Sequence, residues 1–146
     1  MIKSKRYSPR QRRQSRRVLL QALYQWELAQ PSLSTIQEFV KTEGSLDNAD
    51  QEFFDDCLSG IIDHVHELDG VFEPYLDRPV VELTVIERGC LRAGCYELMN
   101  RPDVPNNVAI SEWVRLAKDF GAQNSFRYIN AVLDTVAKNF SVQVDE

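Results

Sequence analysis

The residues best suited to chemistry gather near the start of the chain. Residues 1–17 hold eight of its 17 Lys and Arg side chains and no acidic one. Arg12, Arg13, Arg16 and Arg17 are spaced to share neighbouring faces of one helix. Guanidinium groups bind phosphate bidentately and stack on bases. On a helical wheel Arg13, Arg17, Leu20 and Tyr24 fall within about 60° of one another, with Arg12 and Arg16 at the border of the apolar arc. Arginines interleaved with an aromatic ring are the mixture that unpaired RNA uses: the charges hold phosphates and the ring stacks on a base. Leu20 and Tyr24 on that side need a cover, supplied either by this chain or by a partner. A tyrosine hydroxyl suits a half-wet interface.

Charge alone leaves two readings. The net charge is -5, but beyond residue 17 nine basic residues face 22 acidic ones. A basic head on an acidic body fits nucleic acid or an acidic partner; it also fits a solvated tail. Other groups carry less. His64 and His66 are two apart and point to different helix faces, so they are not a zinc pair. Asp47, Asp50, Asp55 and Asp56 read as a helix start and a wet face. Ser125 has no histidine close in sequence, and there is no Gly-rich phosphate loop. Cys57, Cys90 and Cys95 are odd in number and lack the C-x-x-C spacing. They read as reduced, buried thiols of a cytoplasmic protein. No apolar run approaches membrane length, and the start does not read as a signal peptide. The expectation is a non-enzyme with no cofactor, no metal and no membrane contact.

The elements that must position these residues read as all-α, with about six or seven helices. Ser8-Pro9 is a helix start, and Val18, Leu19, Ala22, Leu23 and Trp26 form an arc of about 140°. Pro31 ends that helix. A short helix is expected from Thr35 to Glu43, and a loop from Gly44 to Asn48. A longer helix runs from Asp50 to Glu67 and breaks at Asp69-Gly70, with a further turn over Val71 to Leu76. Thr84 and Glu87 have capping-box spacing. Gly89, Ala93 and Gly94 give that helix a small side for close approach. The next helix spans Asn107 to Phe120, with Val108, Val114, Ala117 and Phe120 inward and Gly121 as its stop. Ser125 caps the last, whose stripe is Phe126, Ile129, Val132, Leu133, Val136 and Phe140. One compact domain is expected: a basic flexible start at 1–8, helical bundles at 9–78 and 79–140, and a tail at 141–146.

Three stretches carry a resemblance: "RRQSRRVLLQALYQWELAQ", "PYLDRPVVELTVIERGCLRAGCYELMNRPDVPNNVAISEWVRLAKDFG" and "SFRYINAVLDTVAKNF". Together, in this order, they resemble the NusB family of bacterial transcription antitermination factors. The matching motifs are Ala22-Leu23-Tyr24, Glu87 to Leu98, Val104 to Gly121, and Tyr128 to Asp134. The resemblance implies two perpendicular three-helix bundles and no catalysis. It implies binding to single-stranded boxA RNA of nascent ribosomal transcripts together with NusE, a small-subunit ribosomal protein. The complex would join other Nus factors on RNA polymerase. By position, Arg12, Arg13 and Arg16 would contact RNA phosphates, and Arg17 adds a charge that relatives often lack. Arg92, Phe120, Asn124 and Tyr128 would lie near the RNA path. Tyr24 and Glu87 would meet the partner protein or the RNA beside it, and Leu20 is placed with them on the partner-facing surface. The chain departs from the pattern at Asn124, often acidic in relatives, at Trp113, usually small, and at Ala131, usually glycine.

Two rivals stand beside this reading. One is the RNA-binding domain found at the start of some ribosomal RNA cytosine methyltransferases. Such a protein is expected to continue well past the position where this chain ends, Glu146. The other is a helical adaptor that binds only protein. A surface with Leu20 and Tyr24 also allows a homodimer when the partner is absent.

Overall fold

The computed structural model describes residues 7–140. Residues 1–6 of the expected flexible start, and the expected tail at 141–146, lie outside the described residues. Seven α-helices run through them, with no strand among them: α1 Pro9–Ala29, α2 Leu33–Glu43, α3 Gln51–Asp63, α4 Val65–Phe72, α5 Val85–Asn100, α6 Asn106–Phe120 and α7 Ser125–Phe140. Two short 3-10 turns, Glu73–Tyr75 and Val80–Glu82, join α4 to α5. The all-α expectation holds. The chain divides into two compact units, Met1–Leu58 and Ser59–Glu146.

In the first unit, α1 begins where the sequence places it. Ser8 Oγ accepts from the Gln11 N–H at 3.1 Å, and Gln11 Oε1 accepts from the Ser8 N–H at 2.8 Å. This reciprocal box satisfies two otherwise orphaned donors. The helix stops at Gln30, whose φ of 56° is left-handed, ahead of Pro31. Ser32 caps α2, two residues earlier than expected, and Gly44 closes it with φ 80°. A side chain there would be strained by that backbone conformation, so this turn favours glycine.

In the second unit, α5, α6 and α7 each pack on the other two. The small side of α5 serves this: a Cβ at Gly94 would lie 2.7 Å from Leu133 Cδ1 on α7. Trp113 is completely buried, and its Nε1 donates to Glu97 Oε2 at 2.7 Å. That bond lets the large ring sit in the interior without an orphaned donor.

Four local expectations change. The helix break falls at His64 (φ -124°, ψ 29°), not at Asp69-Gly70. Asp69 is instead held in α4 by Arg92, and the α4 helix runs through Gly70. On α6 the buried residues are Ala109, Trp113, Leu116 and Ala117, while Val108 and Phe120 are exposed. The volume of Trp113 decides which face turns inward. Gly121 stops α6 with an extended backbone rather than a left-handed one; a Cβ there would lie 2.6 Å from the Ala117 carbonyl oxygen. Ser125 lies inside α7 rather than capping it, and its hydroxyl goes to Glu87.

Cys57, Cys90 and Cys95 are buried and form no disulfide. Burial pushes the Cys90 and Cys95 thiols up to about 12, so both stay protonated at neutral pH. The native protein should resist iodoacetamide at pH 8, and all three thiols should react in denaturant. A second expected outcome concerns Gly60. A Cβ there would lie 2.3 Å from the Tyr96 ring. Gly60→Ala should destabilise by about 1–3 kcal/mol through overpacking, read as a lower urea midpoint.

Candidate nucleic-acid interface

The arginines of α1 separate into an inner and an outer set. Arg16 is 3% exposed, and its guanidinium lies 5.0 Å over the Phe53 ring. Arg12, one turn earlier, lies 4.7 Å over the same ring and reaches Asp50 Oδ2 at 3.1 Å. Asp50 is 2% exposed. Its other oxygen accepts from the Phe53 N–H at 3.0 Å, at the start of α3. Its backbone is tied to α1 as well: Ser15 Oγ accepts from the Asp50 N–H at 2.9 Å and lies 2.8 Å from the Asp50 carbonyl oxygen. One buried aspartate therefore caps α3 and seats α1.

Arg13 is half-buried, and Arg10 and Arg17 are exposed. They lie along one line of α1 with Tyr24, 42% exposed, and Leu28, 61% exposed. No acidic residue occupies the first turn of α1. Its free N–H groups already amount to about half a positive charge there, so the arginines raise a positive end further. Such an end attracts anions. Leu20 is 3% exposed, which answers the open question about it: this chain covers it.

The remaining predicted residues belong to the second unit. Glu87 is buried at the start of α5. Oε1 accepts from the Thr84 N–H at 2.9 Å, and Oε2 accepts from the Ser125 hydroxyl at 2.8 Å. Glu87 thus completes the α5 cap and ties it to α7. Arg92 makes a bidentate pair with Asp69, both contacts at 2.8 Å, and joins α5 to α4. Phe120 is exposed at the end of α6. Asn124 is exposed and left-handed at φ 70°, a conformation Asn tolerates better than most residues. Tyr128 is half-buried, near the start of α7. Its hydroxyl donates to Asp77 Oδ1 at 3.0 Å and accepts from the Asp77 N–H at 3.2 Å. Arg78 lies 4.8 Å over its ring.

Among the described residues no three His, Cys, Asp or Glu side chains converge as metal ligands, and no helix is long and apolar enough to cross a membrane. Residues 13–138 match the model of the NusB family. The chain belongs to the NusB family. It is 46% identical to the transcription antitermination protein NusB of Alcanivorax borkumensis, over 90% of this chain and 87% of that one. It is 43% identical to the protein of the same name from Idiomarina loihiensis, over 90% and 95%. Its fold is similar to a solved T. maritima NusB, with a TM-score of 0.80 at 28% identity, covering 93% of this chain and 95% of that one. A second similar fold is the crystal structure of antitermination factors NusB and NusE in complex with dsRNA, with a TM-score of 0.76 at 23% identity over 90% and 98%.

Within this NusB-family chain, sequence reading missed Arg10, Leu28 and the Asp77–Arg78 pair, and it turned Phe39 inward on α2, where the ring is in fact exposed. Leu28 was findable, one turn beyond Tyr24 on the same line. Nothing near Arg78 in sequence names its partner Tyr128, which lies 51 residues from Asp77. Asp50→Ala should cost about 2 kcal/mol, because it removes the α3 cap and the Arg12 partner together. The check is urea unfolding, with a lower midpoint at unchanged slope.

Proposed function

We propose that this chain is a cytoplasmic transcription antitermination factor, a binding protein without catalytic activity. Its ligand is boxA-type single-stranded RNA of nascent ribosomal transcripts, taken up together with NusE, and the complex acts on RNA polymerase. The observation that carries this reading is the line of outward arginines at the positive end of α1 in a NusB-family chain. Arg13 and Arg17, with Arg10 beside them, take phosphates. Arg16, held against Phe53, strengthens the same positive field from beneath, while Asp50 offsets the charge of Arg12. Phe120, Asn124 and Tyr128 form a second contact region on the other unit, where the exposed Phe120 ring and the half-buried Tyr128 ring suit stacking and an amide suits base edges. Arg92 and Glu87 act by positioning, since Asp69, Thr84 and Ser125 occupy their polar atoms.

The partner protein is assigned to Tyr24 and Leu28. Two large exposed apolar side chains one turn apart are a docking strip rather than a solvated face. Leu20 supports that strip from below. When the partner is absent, the same strip is the surface on which two copies would pair.

About three or four phosphate contacts give a salt slope of about -2 to -3, at about -0.7 per phosphate on a single strand. Arg13→Ala with Arg17→Ala should weaken binding to a boxA-type oligonucleotide at least about tenfold and flatten that slope by about 1.4, the value of two phosphates, with the urea midpoint measured alongside. Arg16→Ala should lower stability instead. Binding is read by fluorescence anisotropy from 50 to 300 mM salt, with a duplex of the same sequence as a second ligand. Salt-independent affinity, or a preference for the duplex, would sink the single-strand reading. Capture of NusE with no RNA dependence in either arm favours the protein adaptor.

A further inference from the structure

Asp77, Arg78 and Tyr128 make a small device that the sequence does not announce. Arg78 precedes Pro79, which favours extended backbone and leads the chain out of the 3-10 turn. The Arg78 guanidinium grips its neighbour, Nε to Asp77 Oδ1 at 2.7 Å and Nη2 to Asp77 Oδ2 at 3.2 Å. The same group lies 4.8 Å over the Tyr128 ring. The ring is pinned at its rim, because the Tyr128 hydroxyl bonds both the Asp77 carboxylate and the Asp77 N–H. Arg78 and Asp77 are 38% and 64% exposed. Arg78, and then Tyr128, hold the Asp77 carboxyl below its ordinary range, so it stays charged across the working pH range.

Each part has a reading for a single nucleotide. A ring with a fixed orientation is a stacking platform. A guanidinium over its face occupies the place of a base. An exposed ion pair and an exposed cation–π contact are both weak, so a base and a phosphate can replace them. A guanidinium released from Asp77 finds a better-matched acceptor in a phosphate, which it binds bidentately. Asp77 has the opposite effect: with Arg78 away, its charge opposes RNA.

We propose that Asp77, Arg78 and Tyr128 form a site for one unpaired RNA nucleotide, in which the base displaces Arg78 from the Tyr128 ring and Arg78 moves onto that nucleotide's phosphate. The inference rests on the RNA-binding function proposed above. Asp77 is the restraint that keeps the site closed until RNA arrives. A duplex, with its bases stacked and paired, cannot insert one, so the device favours single strands.

The experiment measures affinity and salt slope for a boxA-type single-stranded oligonucleotide, using the full chain and four variants of checked urea midpoint. Arg78→Ala should weaken binding and reduce the slope by about 0.7, the value of one phosphate. Arg78→Lys should keep the slope, since the charge remains. Asp77→Asn preserves an acceptor for Tyr128 and removes the restraint, so binding should tighten about two- to fivefold. Tyr128→Ala should weaken binding about tenfold through lost stacking. A lower slope in Arg78→Ala together with a gain in affinity on Asp77→Asn is a pattern that a purely structural role does not produce. If wild type binds RNA but Arg78→Ala leaves the slope unchanged, or Asp77→Asn does not tighten binding, the inference is overturned and the RNA-binding function stands. Tighter binding by Arg78→Ala at an unchanged slope would likewise overturn it, leaving Arg78 a simple cover. If wild type binds no RNA, the function fails and this inference with it.

Discussion

Five arginines in the first turns of one helix repel one another and the helix end that carries them. Asp50 is what makes that arrangement tolerable within the first unit. It is buried, it accepts from Arg12 and from the α3 backbone, and its own backbone bonds Ser15. The Phe53 ring then gives Arg12 and Arg16 a face to lie on. With these two folded inward, the outward line is left to Arg10, Arg13 and Arg17. The division of labour among the arginines thus follows from one carboxylate and one ring.

The second unit uses the same device with other residues. Glu87 completes a helix cap with one oxygen and holds Ser125 with the other. Asp69 receives Arg92, and Glu97 receives the Trp113 indole. Each acid is partly or fully buried, and each is matched to a donor on another segment. A buried acid left without its donor would be costly, so each pair also specifies which segments meet. Around this frame Phe120, Asn124 and Tyr128 stay accessible near the α6–α7 connection.

Much of this was legible in the sequence, and the reasons for success and failure differ. Helix starts at Ser8 and Thr84 were readable because a cap is a local hydrogen-bond pattern spanning four residues. The small side of α5 was readable because Gly89, Ala93 and Gly94 recur at helical spacing. The inward face of α6 was misread because a wheel weighs each apolar residue alike, whereas Trp113 needed both volume and the distant acceptor Glu97. Arg12 and Arg16 were placed correctly at the border of the apolar arc. Their commitment to Asp50 and Phe53 depends on segments some 37 residues away, which no local pattern encodes. The Glu87 cap was readable for its local spacing, but the Ser125–Glu87 bond and the Arg92–Asp69 pair join residues 38 and 23 positions apart. The family resemblance named positions without saying which way their side chains turn.

Gly60 and Tyr96 share one volume. The ring occupies the space that any side chain at position 60 would need. In a diverging lineage the two positions are therefore not free to change separately. A chain that acquires alanine at 60 carries the strain of that overlap until residue 96 is shortened, and a chain that has already shortened 96 loses the steric reason to keep glycine. Gly94 and Leu133 form a softer version of the same couple, because the end of a leucine can turn aside where a ring cannot. Paired substitution at 60 and 96 is the historical trace this packing would leave.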